Sequence, residues 1–222
     1  RNHMARADII TAIDVGTDKC VTIIAAVDKE LHSIRVMGVA AVPSKGVKKS
    51  QIIDLEQVLI AVTESLDSAE RMAGVEIKSA YVSISGAHIS SLNSKGVVAV
   101  AAPDQEISND DVSRVIEAAR AISLPSDREV IHIIPKSFSV DSQEGIKDPI
   151  GMTGIRLETE AHIITGLTPT LRNLEKCILD LGIGLDGFVF SGLASAEVVL
   201  TETEKELGVV AVDVGAGSTS VC

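Results

Sequence analysis

Apolar and β-branched residues dominate two short stretches near the start of the chain, Ile9 to Val15 and Val21 to Val27. Such β-rich runs predict strands, and the intervening Gly16-Thr17-Asp18-Lys19 has the length and the glycine of a hairpin turn. A third β-rich run, Ile34 to Val42, completes a meander. The pattern then changes: Leu55, Val58, Leu59, Val62 and Leu66 fall on one face of a helix, with Asp54 as N-cap, Gln57 three residues later and Gly74 at the end. Ser79 to Ser85 reads as an alternating strand, with Ala80, Val82 and Ile84 on one side.

From about Gly86 to Thr165 the rhythm differs. Short strands around Val97 to Val100, Val130 to Ile134 and Arg156 to Ile164 surround one helix. In that helix Ser108 and Asp111 have capping-box spacing, and Val112, Val115, Ile116 and Ala119 form the apolar stripe. The segment reads as a small α+β insertion with its own core. Beyond it, Thr168 as N-cap and Pro169 at the first helical position open a helix with Leu171, Leu174, Ile178 and Leu181 inward and Gly182 just past its end. A strand at Phe188 to Phe190, a single helix from about Ala194 to Leu207 and a strand from Val209 to Val214 follow.

Composition narrows the function. At 222 residues, 45% apolar and 23% charged, the chain can bury a core without disulfide or metal staples, and is not intrinsically disordered. A net charge of -11 opposes a binder that tracks nucleic-acid phosphates, and Tyr81, Phe138, Phe188 and Phe190 are too few aromatics for a base-stacking platform. No nucleic-acid partner is expected, and any phosphate bound here is expected to rest on backbone N–H groups. Cys20, Cys177 and Cys222 are odd in number and widely spaced, which fits reduced thiols and not structural zinc. No apolar stretch reaches the length of a membrane span, and no signal peptide opens the chain. Arg1-Asn2-His3-Met4 reads as an expression-vector remnant, so residues 1–7 are set aside as a flexible start.

One pattern occurs twice. Ala12-Ile13-Asp14-Val15-Gly16-Thr17 and Ala211-Val212-Asp213-Val214-Gly215-Ala216-Gly217-Ser218-Thr219 are each an apolar strand, an aspartate near its end and a glycine turn. Singly, such a segment is an ordinary hairpin; recurrence suggests two halves on one plan. Gly16, Gly215 and Gly217 let backbone N–H groups converge on an anion, Thr17, Ser218 and Thr219 add hydroxyl donors, and Lys19 brings positive charge. Asp14 and Asp213 supply the hard oxygen ligands that Mg²⁺ prefers. Together these residues predict a site for a magnesium nucleotide. A P-loop is excluded because G-x-x-x-x-G-K-[ST] is missing, and a Rossmann turn because a β-rich run follows Gly16.

With its two glycine turns, the chain resembles the actin-like ATPase superfamily, which includes actin, MreB, sugar kinases and DnaK-type chaperones. The sequence between the turns is more specifically similar to the FtsA family of bacterial cell-division proteins. The segments that carry this likeness are Val82 to Ile89, His132 to Pro135, Gln143 to Gly154, Gly192 to Ser195 and Leu200 to Val209, within a match running from about Asp8 to Cys222. The resemblance implies an α/β, actin-like (ribonuclease-H-like) ATPase half-domain over residues 8–85 and 166–222, with an inserted α+β, SHS2-like interaction subdomain over residues 86–165. It implies ATP and Mg²⁺ as cofactors. It also implies filaments of the protein with itself, binding to the FtsZ ring, recruitment of later division proteins, and a place on the cytoplasmic face of the cell membrane at the division site. Attachment there would use a C-terminal amphipathic helix that these residues do not include, so the chain reads as a piece of a longer protein.

Two departures qualify the expected activity. Relatives commonly read Asp-[Ile/Val]-Gly-Gly-Gly-Thr-x-Asp at the second turn, whereas Ala216 replaces a glycine here and Ser220 stands at the last aspartate. Nucleotide binding is expected to survive better than hydrolysis: at most a weak ATPase in the whole protein, and an inactive fragment. Two alternatives are a pilus-assembly adaptor of the PilM type, against which the Gln143 to Gly154 segment speaks, and a phosphotransferase, which needs a catalytic acid that the sequence does not offer. Glu197, His132 and His162 are assigned no catalytic role, and Lys45-Gly46-Val47-Lys48-Lys49 reads as a solvated loop.

Overall fold

A computed structural model describes residues 8–101, 104 and 106–222; the stretch set aside as a vector remnant lies outside the described residues. Strands β1 (Asp8–Val15), β2 (Lys19–Asp28) and β3 (Ser33–Pro43) form the expected antiparallel meander. Val15 pairs with Cys20, which confines the first turn to the four residues Gly16 to Lys19. After β3 comes a hairpin that the pattern does not predict. Strands β4 (Val47–Lys48) and β5 (Gln51–Ile52) pair around Lys49 and Ser50, and Lys45, Lys48 and Lys49 are exposed, as a solvated connection requires.

Helix α1 (Leu55–Ala73) starts where Asp54 Oδ1 accepts a hydrogen bond from the Gln57 N–H at 3.1 Å, and ends at Gly74, whose φ of 71° is left-handed. Its buried face is Val58, Ala61, Val62, Ser65, Leu66 and Ala69. Leu55 and Leu59, expected on that stripe, are only half-buried. Burying Val58, Val62 and Leu66 contributes about 1.5–3 kcal/mol each. Ser65 is a polar residue on this face, and Thr22 Oγ1 satisfies its hydroxyl at 2.8 Å inside the core. Strand β6 (Ser79–Ile84) buries Ala80, Val82 and Ile84, while Tyr81 on the opposite face stays 40% exposed.

The next elements make a compact unit of their own, Ile89–Thr168. Strand β7 (Ser90–Ala99), helix α2 (Asn109–Arg120), β8 (Arg128–Val140), β9 (Gln143–Ile146) and β10 (Arg156–Leu167) give a four-stranded sheet in the order β7-β10-β8-β9. Its core gathers Ile107, Val115, Phe138, Val140, Ile146 and Leu157. The predicted capping box is present, with Asp111 accepting from Ser108 N at 3.0 Å and Ser108 Oγ at 2.7 Å. Strand β9 is not predicted, and β8 runs past the expected end at Ile134. Pro135 does not terminate it, because a bulge absorbs the missing N–H donor: Ala161 pairs with Pro135 and Glu160 with Ser137, which skips Lys136.

The first unit, which comprises residues up to His88, resumes at Pro169 and runs to Cys222. Helix α3 (Thr168–Asp180) buries Leu171, Leu174, Cys177 and Ile178, and Thr168 lies inside the helix instead of capping it. Strand β11 (Gly184–Phe190) begins earlier than expected. The single helix expected from Ala194 to Leu207 is two, α4 (Ser191–Val199) and α5 (Glu202–Leu207). Leu200 between them is extended, and Thr201 with Glu204 forms a second capping box, the start signal of a separate helix. Strands β12 (Val212–Val214) and β13 (Thr219–Val221) close a second hairpin, shorter at its start than the expected Val209 to Val214.

Five strands of this unit form one sheet in the order β11-β6-β1-β2-β3. β1 pairs antiparallel with β2 and parallel with β6, which in turn pairs parallel with β11. The sheet therefore switches from antiparallel to parallel at β1, the ribonuclease-H-like arrangement, and the α/β class inferred from the sequence is borne out.

A cavity at the carboxyl ends of the parallel strands

In open α/β sheets ligands bind beyond the carboxyl ends of the strands, where the topology switches. Asp14 near the end of β1, Ser83 and Ser85 at the end of β6, and Ser191 after β11 all line one cavity of about 540 Å³. Gly16, Thr17, Asp18 and Lys19 of the first turn line it too. So do Asp213, Gly215, Gly217 and Ser218 of the second hairpin. The structure thus brings together residues about two hundred positions apart, including both aspartates proposed for magnesium. It does not bring in Thr219, the remaining proposed ligand. Side chains along a strand alternate, so Ser218 and Ser220 face the cavity and Thr219 is turned away, exposed.

The two hairpins use the same local device. Gly16 N donates to Lys19 O and Gly215 N to Ser218 O, each at 3.0 Å. A side chain at Gly16 would meet the Lys19 carbonyl at 2.8 Å, so only glycine lets the turn close this tightly. The hairpins also touch: a Cβ at Gly217 would collide with Thr17 Oγ1 and lie 3.0 Å from Thr17 Cβ and Cγ2. Asp14 is oriented by the Ser83 hydroxyl, which donates to its Oδ1.

Helix α4 begins at the cavity wall. Ser191, Ala194 and Ser195 line it, and the preceding Phe190 has no side-chain oxygen with which to cap the first turn. The positive end of a helix dipole therefore faces the cavity. Ser191 Oγ is buried and has no hydrogen-bond partner among the described residues. An orphan hydroxyl, uncapped helix amides, two glycine turns, one lysine and a pair of aspartates suit a phosphate chain with a hard divalent cation. Asp14, Asp18 and Asp213 outnumber Lys19, so a free anion is disfavoured relative to its metal complex. Glu197 does not line the cavity; it is exposed and paired with Lys205 Nζ at 3.0 Å. His162 bonds Asn93 Oδ1 through Nδ1 at 2.8 Å, an interaction between neighbouring strands of the other unit.

Comparison with known proteins shows what this chain is similar to. Residues 86–165 match the family described as the SHS2 domain inserted in FtsA. Over 213 residues the chain is 40% identical to Cell division protein FtsA of Pseudomonas aeruginosa, covering 96% of this chain and 50% of that protein. The resemblance to FtsA is borne out. The corresponding protein of Borreliella burgdorferi is 42% identical over 214 residues, 96% of this chain and 52% of that one. For Bacillus subtilis FtsA the identity is 36% over 218 residues, 98% and 49% of the two chains. The chain therefore spans about half the length of the FtsA relatives it matches. Among solved structures, the PilM-PilN type IV pilus biogenesis complex superposes with a TM-score of 0.63 at 12% identity, over 96% of this chain and 56% of that one. At that identity the likeness is one of fold, and the fold is the actin-like half-domain with its insertion.

Sequence reasoning missed Ser50, Ser83, Ser85, Ser191 and Ser195 as cavity residues. Ser83, Ser85 and Ser191 were within reach, since each closes or follows a strand whose parallel pairing puts its end beside β1. Ser50 gave no signal, because its turn uses left-handed backbone at two residues other than glycine.

Proposed function

We propose that this chain is the phosphate-holding half of an FtsA-type cytoskeletal scaffold of bacterial cell division. The observation that carries this reading is the convergence of Asp14, Gly16 to Lys19, and Asp213 to Ser218 on one cavity at the switch point of the sheet. In this reading, residues 8–85 and 166–222 form the nucleotide-binding subdomain and 86–165 the interaction subdomain. Backbone amides of the two turns, with Thr17, Lys19 and Ser218, hold the phosphates of ATP. Asp14 and Asp213 hold Mg²⁺, directly or through water, and the ion offsets phosphate charge when bound. Ser83 keeps the Asp14 carboxylate aimed at the ion. Ser220 stands where relatives commonly have an aspartate and supplies no carboxylate, so nucleotide governs assembly more than it serves as fuel.

The whole protein then joins the FtsZ ring to the membrane and recruits later septum proteins. The edge strands β7 and β9 of the second sheet offer unpaired backbone for contacts with another copy or a partner. Among the described residues no helix is long and apolar enough to cross a membrane, and attachment in this reading is by a peripheral helix elsewhere in the protein.

The test is calorimetric titration of the full-length protein with Mg-ATP, beside Asp14→Asn and Asp213→Asn. Each variant is expected to lose tenfold or more in magnesium-dependent affinity, and this chain alone to release no measurable phosphate. Magnesium-dependent affinity in both variants equal to the parent's, or phosphate release by this chain that disappears with Asp14→Asn, overturns the proposal.

A further inference from the structure

One hydroxyl joins parts of the cavity wall that come from three distant places in the sequence. Ser50 lies in the turn between β4 and β5, its backbone N–H donating to Thr17 Oγ1 at 3.2 Å. Its Oγ accepts from Ser85 Oγ at 3.1 Å and pairs with Ser218 Oγ at 2.7 Å. With the Ser85 proton directed at Ser50, the Ser50 proton is left for Ser218. First turn, second hairpin and the end of β6 are thus tied through a single residue.

Backbone economy does not explain a serine here. Lys49 and Ser50 have φ of 50° and 60°, a region that glycine occupies freely and asparagine tolerates, but which costs a serine. The Ser50 side chain also packs over Gly86, where an added Cβ would stand 2.9 Å from Ser50 Cβ. What serine supplies at this position is its oxygen. The second hairpin, moreover, is short and largely open to solvent: its strands are three residues each, and Val212, Val214 and Val221 are more than half exposed.

We propose that Ser50 is a positioning residue that latches the second glycine hairpin to the first and so sets the gap that phosphates enter. The role in binding rests on the nucleotide reading above; the latch itself does not. Ser50→Gly removes the hydroxyl and relieves the left-handed backbone, so a merely structural serine would give equal or greater stability and nothing more.

The experiment has two arms. In this chain without nucleotide, hydrogen exchange of the amides from Val214 to Thr219 is expected to quicken about fivefold in Ser50→Gly, the worth of one neutral hydrogen bond. Ser218→Ala should do the same, and the double variant no more than either. In the full-length protein, Mg-ATP affinity is expected to fall about fivefold in Ser50→Gly, with Ser50→Asn retaining most of it. Unchanged exchange in both single variants overturns the latch, and quickened exchange with unchanged affinity overturns its role in binding. If the parent protein fails to bind Mg-ATP, the nucleotide reading falls while quickened exchange still upholds the latch.

Discussion

Gly217→Ala tests whether the two glycine hairpins stand against each other. Gly217 is not in the left-handed region, so alanine fits its backbone and the cost is confined to the new methyl group. That methyl would overlap Thr17 Oγ1 and come within 3.0 Å of Thr17 Cβ and Cγ2. Two responses are open. Thr17 can leave its rotamer, at about 0.5–1.5 kcal/mol, and surrender the bond from Ser50 N, worth about 1 kcal/mol. Alternatively the second hairpin lifts and breaks the Ser50 to Ser218 bond, with lost packing besides. Either route comes to about 2 kcal/mol, inside the usual range of about 1–3 kcal/mol for overpacking. Urea unfolding of the chain measures this as a lower midpoint at unchanged slope. Thr17→Ala removes Oγ1 and Cγ2, so in that background Gly217→Ala should cost less than half as much, a positive coupling between residues two hundred positions apart. A Gly217→Ala variant within 0.5 kcal/mol of the parent, additive with Thr17→Ala, would refute the contact.

Other outcomes follow from single sites. Asp111 is buried and accepts from Ser108 N, Ser108 Oγ, Ala101 N and Arg114, bonds that hold its carboxyl well below the usual carboxylate range. Its stabilisation is therefore complete above the unfolded value of about 4 and is lost as pH falls through the lower folded value. Asp111→Asn should cost about 2–3 kcal/mol at pH 7, and urea titrations at pH 7, 5 and 3 should show that gap narrowing only at the most acid point. Burial lifts the thiols of Cys20 and Cys177 to about 11, whereas Cys222 is exposed. Iodoacetamide at pH 8 should then label Cys222 first and the other two only on unfolding, read by mass spectrometry. Thr201→Ala removes the cap of a helix that buries no residue, so exchange across Glu202–Leu207 should rise, by about 1 kcal/mol of local stability, with little movement of the global midpoint.

The parts of this fold that could be read from sequence are those where one local rule decides. Asp54 and Gly74 bracket α1, Ser108 and Asp111 start α2, and glycine marks both hairpin turns. The split between α4 and α5 was written in the same language, since Thr201 and Glu204 have capping-box spacing; the run of apolar and acidic residues around them simply favoured one continuous helix. Strand β8 runs through Pro135, where a proline ordinarily ends pairing, and only the facing bulge at Glu160 and Ala161 shows how the ladder accommodates it. The cavity was half legible. Repetition of the aspartate and glycine pattern pointed to both hairpins, but Thr219, counted for its hydroxyl, is turned away, a fact of strand register that a three-residue strand does not show in its sequence. Ser50 lay beyond reach altogether: its turn needs two left-handed residues, and neither Lys49 nor Ser50 advertises that conformation.

Tyr81 gives the molecule a built-in optical probe. With one tyrosine and no tryptophan in 222 residues, emission excited beyond the phenylalanine absorption band originates from β6 alone. The ring stands on the open side of the sheet, beside Ala12 of β1 and Gly187 of β11, two residues before the serine that steers Asp14. Quenching by acrylamide or iodide, with no label attached, therefore follows breathing of the parallel strands just behind the cavity, and energy transfer to a nucleotide-borne dye starts from a donor at a single known position.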